Sequence, residues 1–177
     1  MSKIYTSRFR NPELNNDKHV IVGIVLSMPK FKTKYRIDGN IKELAPPGYL
    51  FNEYDRARFT PKYLAAKDKI GWQVIKMQIN KYLAIAEGQH KDLVLCCYED
   101  VREPIKYDIV NGEAVNIEYD WCHRLVAAEW LEQYIGYKPI ELYDSSTGKK
   151  AEKLRKELAN RKDSQYNTNM TQLSLFN

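Results

Sequence analysis

Short apolar runs alternate with amphipathic stretches along the chain, and their lengths separate strands from helices. Residues 3–9 (KIYTSRF) and 19–26 (HVIVGIVL) are rich in Ile, Val and Tyr and are parted by Asn11, Pro12, Asn15, Asn16 and Asp17, which favour turns. Both are expected to be strands. The second, like residues 92–98 (DLVLCCY), is apolar at nearly every position, the pattern of a parallel strand covered on both faces. Residues 138–143 (KPIELY) predict a fourth strand. Between Ser27 and Pro61 the pattern is irregular, with turns and short helices at Met28-Pro29, Leu44-Ala45-Pro46-Pro47-Gly48 and Tyr49-Leu50-Phe51. Loops of this length in compact domains usually carry function.

Three helices follow from caps and spacing. Thr60-Pro61, a capping residue before a proline, predicts a helix start. A second helix is expected from about Gly71 to Ala86, with Val74, Met77 or Gln78, Tyr82 and Ile85 on its apolar face and Gly88 ending it. Asp120 is expected to cap a third, from Trp121 to about Ile135, with Leu125, Ala128, Leu131 and Ile135 on one side and Gly136 ending it. This alternation predicts an α/β fold, a small, mostly parallel sheet flanked by helices in a Rossmann-like three-layer arrangement. The expected organisation is an α/β domain over 1–144 with an inserted loop or hairpin at about 100–120, where Asn111-Gly112 marks a tight turn. A basic helix is expected over 145–162 and a flexible tail over 163–177.

Composition narrows the class. The 177 residues, 44% hydrophobic and 29% charged, suit one soluble domain. No apolar run reaches the length of a bilayer span and the N-terminus lacks the apolar centre of a secretory signal, so a cytoplasmic protein without a membrane partner is expected. Three cysteines, two of them adjacent, cannot form a disulfide framework, which leaves reduced thiols. The net charge of +5 permits a polyanionic partner without demanding one.

Candidate chemistry gathers where the 92–98 strand ends and the Trp121 helix begins. Ligands of open α/β sheets bind at the carboxyl ends of the strands, beside helix N-termini. Cys97 and Glu99 share one face by strand alternation, with Cys96 and Tyr98 on the other. Cys122, His123 and Arg124 fall in the first helical turn, whose partial positive charge lowers a thiol pKa and suits an anion. Arg124 would meet phosphate or carboxylate with its fork, and Glu99 would act as a base or orient Arg124 or a water. Against this stands a plainer reading, in which Cys96 is core filling and Glu99 and Arg124 form a structural ion pair. Zinc at Cys97, Cys122 and His123 fits by ligand type, but there is no CxxC spacing and no evident fourth ligand, so no metal and no cofactor are expected. His19 and His90 are expected to be exposed.

Several of these segments carry a resemblance. Ile4-Tyr5-Thr6-Ser7, Ser27-Met28-Pro29-Lys30-Phe31, Leu44-Ala45-Pro46-Pro47, Leu95-Cys96-Cys97-Tyr98-Glu99 and Trp121-Cys122-His123-Arg124-Leu125-Val126-Ala127 together resemble the family called domain of unknown function 488, over roughly residues 3–143. Its hallmark is a cysteine–aromatic–glutamate strand end followed by Cys-His-Arg at a helix start. The resemblance implies a small α/β domain in which the two motifs meet, with Cys97, Glu99, Cys122, His123 and Arg124 as the functional residues. Members usually join the motifs by a short connection, whereas here residues 100–121 intervene.

The C-terminal Gln172-Leu173-Ser174-Leu175-Phe176 resembles the pentapeptide by which polymerases and repair proteins bind the bacterial sliding clamp, and every position matches. Gln172 offers a donor and an acceptor, while Leu173, Leu175 and Phe176 are apolar anchors on a polar tail. Two basic stretches suit a place beside DNA: Lys30, Lys32, Lys34 and Arg36, interleaved with Phe31 and Tyr35, and the 149–162 segment with Lys149, Lys150, Lys153 and Lys156. These readings lead to a DNA-associated, clamp-tethered protein that processes DNA or nucleotides at the Cys/Glu and Cys-His-Arg site. The alternatives are a non-catalytic clamp-binding regulator of replication, such as a phage would encode, and a thiol or redox enzyme using Cys97 and Cys122 as a reversible pair.

Overall fold

The computed structural model describes residues 2–102, 104–110 and 113–148, together with Glu152, Lys153 and Lys156. In chain order the elements are β1 (Ile4–Arg8), β2 (His19–Gly23), β3 (Gly39–Asn40), α1 (Arg56–Ile70), α2 (Trp72–Gly88), β4 (Asp92–Cys97), β5 (Pro104–Val110), β6 (Glu113–Tyr119), α3 (His123–Ile135) and β7 (Ile140–Glu141). The expected α/β class is what the chain adopts. A five-stranded sheet runs β3-β2-β4-β1-β7, and every pairing in it is parallel. The apolar runs β2 and β4 lie in its interior, and the edges β3 and β7 are two residues each, which limits exposed pairing surface.

The chain divides into two compact units: Met1–Glu99 with Trp121–Ser145, and Asp100–Asp120 with the residues from Ser146 on. In the first, one face of the sheet, with Ile4, Val20, Val22, Leu93 and Leu95, forms a single core with Phe59 and Tyr63 of α1, Ile75, Ile79 and Tyr82 of α2, and Val126, Trp130 and Leu131 of α3. Burying such side chains contributes about 1.5–3 kcal/mol each. The other face carries Ile21, Val94 and Cys96, also buried. Gly39 has no room for a side chain, because a Cβ there would lie 2.0 Å from the Tyr82 hydroxyl. In the second unit β5 and β6 pair antiparallel from Pro104↔Tyr119 to Val110↔Glu113, with irregular register at Lys106. Among the described residues no helix is long and apolar enough to cross a membrane.

Three helical expectations need correction. Helix α1 starts at Arg56, because the Asp55 carboxylate accepts from the Ala57 and Arg58 amides; Pro61 lies inside the helix, where it only deprives the exposed Ala57 of a hydrogen bond to its carbonyl. Helix α2 buries Ile75, Ile79, Tyr82 and Ala86, while Val74, Met77 and Ile85 face outward. Two apolar stripes coexist on this helix, and the sheet selects the one that contains Tyr82. Helix α3 begins at His123 with Cys122 as its capping residue, and Asp120 does not cap it. His19, expected to be exposed, is half-buried, and among the described residues its Nδ1 has no hydrogen-bond partner.

Lys67 of α1 is buried, donates to the carbonyls of Glu43 and Ala45 at 2.5 and 2.6 Å, and stands 4.8 Å over the Tyr63 ring. Burial lowers its pKa to about 8, against the pull of Glu43. The unfolded chain therefore binds more protons than the folded one between about pH 8 and the ordinary lysine value, so this group favours folding progressively as pH rises through that window. Measured by urea unfolding, the stability of wild type relative to Lys67→Met is expected to increase over that range; a constant difference would show that Lys67 titrates normally.

Candidate functional site

The site is assembled at the carboxyl edge of the sheet. Cys97 ends β4 on the helix-covered face, in phase with Leu93 and Leu95, and Glu99 continues the alternation two residues on. Cys122 is extended at the start of α3, and His123 opens the helix. The Glu99 Oε2 atom accepts from both thiols, at 3.0 Å from Cys97 Sγ and 2.7 Å from Cys122 Sγ. His123 Nδ1 lies 3.4 and 3.7 Å from the same two sulfurs. Its Nε2 is 2.7 Å from the Ile24 carbonyl, which can only accept, so the proton sits on Nε2 and Nδ1 presents its lone pair to the thiols when the ring is neutral. The four donor atoms lie within 4.8 Å of one another. Cys97, Cys122 and His123 are buried, and Glu99 is the most open of the four.

Electrostatics separates the two thiols. Burial raises the Cys97 pKa well above the ordinary thiol value, and its hydrogen bonds with Cys122 and Glu99 and their charges add to the rise. Burial acts on Cys122 in the same direction but is outweighed by the Cys97 hydrogen bond and by the charges of His123 and Arg124, which hold its thiol well below the ordinary value. Burial opposes a charged His123, yet the Cys122 thiolate raises its pKa. Burial and the Cys122 charge raise Glu99. Relative to the isolated groups, these directions favour the charged forms of Cys122 and His123 and the protonated form of Glu99.

Arg124 departs from its expected role. It is 1% exposed, and its Nε and Nη2 grip the Glu141 carboxylate at 2.8–3.2 Å while Nη1 donates to the Glu99 backbone carbonyl at 2.7 Å. Glu141 also accepts from Thr6 Oγ1 at 2.7 Å, across the β1–β7 pairing. The ion pair is therefore Arg124 with Glu141, not with the Glu99 carboxylate, which is left to the thiols. The guanidinium positions the strand end that carries Glu99 and turns no free face to an anion. Glu141 and Thr6 were missed because their role depends on which strand lies beside β1, which spacing along the chain does not reveal. Cys96 is buried on the opposite face, as its alternation with Cys97 requires.

The expectation of no metal rested on the absence of CxxC spacing and of a fourth ligand, and the second ground fails: Glu99 supplies one beside Cys97, Cys122 and His123. The basic loop is also arranged differently from its sequence pattern. Lys30, Lys32, Lys34 and Arg36 are exposed, but the interleaved aromatics are anchors: Phe31 packs against Tyr98 and Arg10, and the Tyr35 hydroxyl donates to the Phe9 carbonyl. Lys34 and Arg36 line a cavity of about 600 Å³ with His19, Asp38 and Lys91, at the amino end of β2 and not at the thiol end. Lys153 and Lys156 are exposed, with Lys156 paired to Glu152 at 2.8 Å. Lys149, Lys150 and Gln172, Leu173, Ser174, Leu175 and Phe176 lie outside the described residues.

A further group escaped sequence reasoning. Tyr49, Phe51 and Tyr54 are 72%, 71% and 80% exposed, and only Leu50 between them joins the core. The Tyr54 carbonyl accepts from the indole of Trp121, the residue before Cys122, so this aromatic segment is tied to the start of the site helix. No family model, no curated protein and no solved structure matches the chain.

Proposed function

We propose that the chain is a DNA-associated protein, tethered to the bacterial sliding clamp through Gln172–Phe176, that processes DNA or nucleotides at Cys97, Glu99, Cys122 and His123. The observation that supports a reactive centre is the meeting of two thiols, a carboxylate and an imidazole around one point at the carboxyl edge of a parallel sheet. A carboxyl group whose pKa is raised by burial and a neighbouring thiolate charge is suited to general acid–base work, and hydrolysis is the reaction class this set favours. The exposed rings of Tyr49, Phe51 and Tyr54 offer stacking faces for unpaired bases.

The test is a screen of single- and double-stranded DNA, with normal and modified bases, and of free nucleotides. Wild type is expected to convert one class of substrate, and Cys122→Ala and Glu99→Gln to lose conversion while retaining DNA affinity. Full conversion by both variants would remove the site from the chemistry. Exchanging Tyr49, Phe51 and Tyr54 together for alanine is expected to weaken single-strand binding at least tenfold, from about 1–3 kcal/mol per stacked base. Unchanged titration curves would return these rings to plain surface.

A further inference from the structure

We propose that Cys97, Cys122, His123 and Glu99 bind one zinc ion per chain. The inference deepens the proposed function, because it rests on placing the chemistry at these four residues and names what they hold. Charge is the first argument. Three groups that ionise to anions, two thiols and a carboxyl, are packed together with Glu99 Oε2 only 2.7 and 3.0 Å from the sulfurs. The nearby guanidinium of Arg124 is already paired with Glu141, so among the described residues His123 is the one other basic side chain at hydrogen-bond distance from the thiols. A divalent ion lets all three ionise at once.

Geometry is the second. With Zn–S near 2.3 Å and Zn–N near 2.05 Å, a tetrahedral shell sets sulfur and nitrogen about 3.6 Å apart. The two sulfurs lie 3.4 and 3.7 Å from His123 Nδ1. The carboxylate oxygen is closer to the sulfurs than the roughly 3.5 Å such a shell sets, and it belongs to the most open and most flexible of the four side chains. The third argument is orientation. A histidine ligand characteristically donates its other N–H to a carbonyl or carboxylate, and His123 does so to Ile24, leaving Nδ1 aimed at the thiols. Two thiolates with one imidazole and one carboxylate in a tetrahedral set select zinc over magnesium or calcium.

Four protein donors close the coordination shell. The ion therefore clasps the end of β4 to the start of α3, and Glu99, nearest solvent, is the donor that yields to water or substrate.

The experiment uses full-length protein reduced with a phosphine and stripped of metal by dialysis against a chelator. One equivalent of zinc is expected to bind with a roughly nanomolar or tighter dissociation constant, and one equivalent of cobalt(II) to give thiolate-to-cobalt charge-transfer bands and the intense visible bands of a tetrahedral site. Zinc should displace cobalt and abolish both sets of bands. Cys97→Ser/Cys122→Ser should lose the charge-transfer bands, and Glu99→Gln should keep them with affinity weakened about tenfold or more. A pale octahedral cobalt spectrum from wild type, binding below a tenth of an equivalent, or thiolate bands that survive in the double variant would overturn the proposal. The wild-type spectrum decides alone if a variant does not fold. Because no DNA or clamp is present, cobalt binding without DNA conversion would sink the proposed function and leave the zinc site standing, and DNA conversion by a protein that binds no cobalt would do the reverse.

Discussion

Arg124→Ala is expected to lower stability by about 3–5 kcal/mol, the usual consequence of stranding one member of a buried ion pair. In a domain of this size that moves the unfolding midpoint by roughly 10 °C or more. The substitution leaves Glu141, still held by Thr6, without a countercharge, and releases the Glu99 carbonyl. Replacing both partners by apolar residues, Arg124→Met with Glu141→Leu, should recover much of the loss, because no charge is then left buried. The double-mutant cycle should show strong favourable coupling between the two positions. A midpoint within 2 °C of wild type for Arg124→Ala would mean that the pair relaxes into solvent and does not support the strand end. A stable Arg124→Ala protein without activity would return Arg124 to the reaction itself.

Removing residues 171–177 is expected to weaken binding to purified bacterial sliding clamp at least 100-fold while leaving the unfolding midpoint where it was. Leu175→Ala with Phe176→Ala should come close to the same result, since each apolar anchor contributes about 1.5–3 kcal/mol when buried and two of them exceed a factor of 100. A peptide of residues 165–177 should compete with the whole protein, because extended-peptide recognition needs only local sequence. Conversion of clamp-loaded DNA should fall much further than conversion of free oligonucleotide, as tethering acts through effective concentration. Equal binding by full-length and truncated protein, or none by either, would remove the clamp from the proposal and with it the main ground for placing the protein at DNA.

The parallel sheet was readable because β2 and β4 are apolar on both faces, a pattern that few other environments produce. The convergence of Cys97, Glu99, Cys122 and His123 was readable for a similar local reason, since strand alternation and a helix start each fix a direction. What stayed hidden required neighbours distant in the chain. Glu141 is seventeen residues from Arg124 and meets it only because β7 pairs beside β1. The buried stripe of α2 was misassigned because two stripes of comparable apolarity run along it, and only the sheet distinguishes Ile75 and Ile79 from Val74 and Met77. Asp55 overrode the Thr60-Pro61 signal because a carboxylate taking two amides nucleates a turn before the proline is reached.

The β5–β6 hairpin leaves the chain after Glu99 and returns at Trp121, and both of those residues belong to the other unit. In polymer terms it is the loop of a clip whose jaws are the Glu99 carbonyl and the Arg124 guanidinium. Closing a loop costs only about 0.6 kcal/mol more for each doubling of its length, so the jaws need little from whatever joins them. The connection between the two halves of the site is therefore a natural splice point: a short Gly-Ser bridge, or a whole reporter domain inserted at residues 111–112, should leave the four donors able to meet.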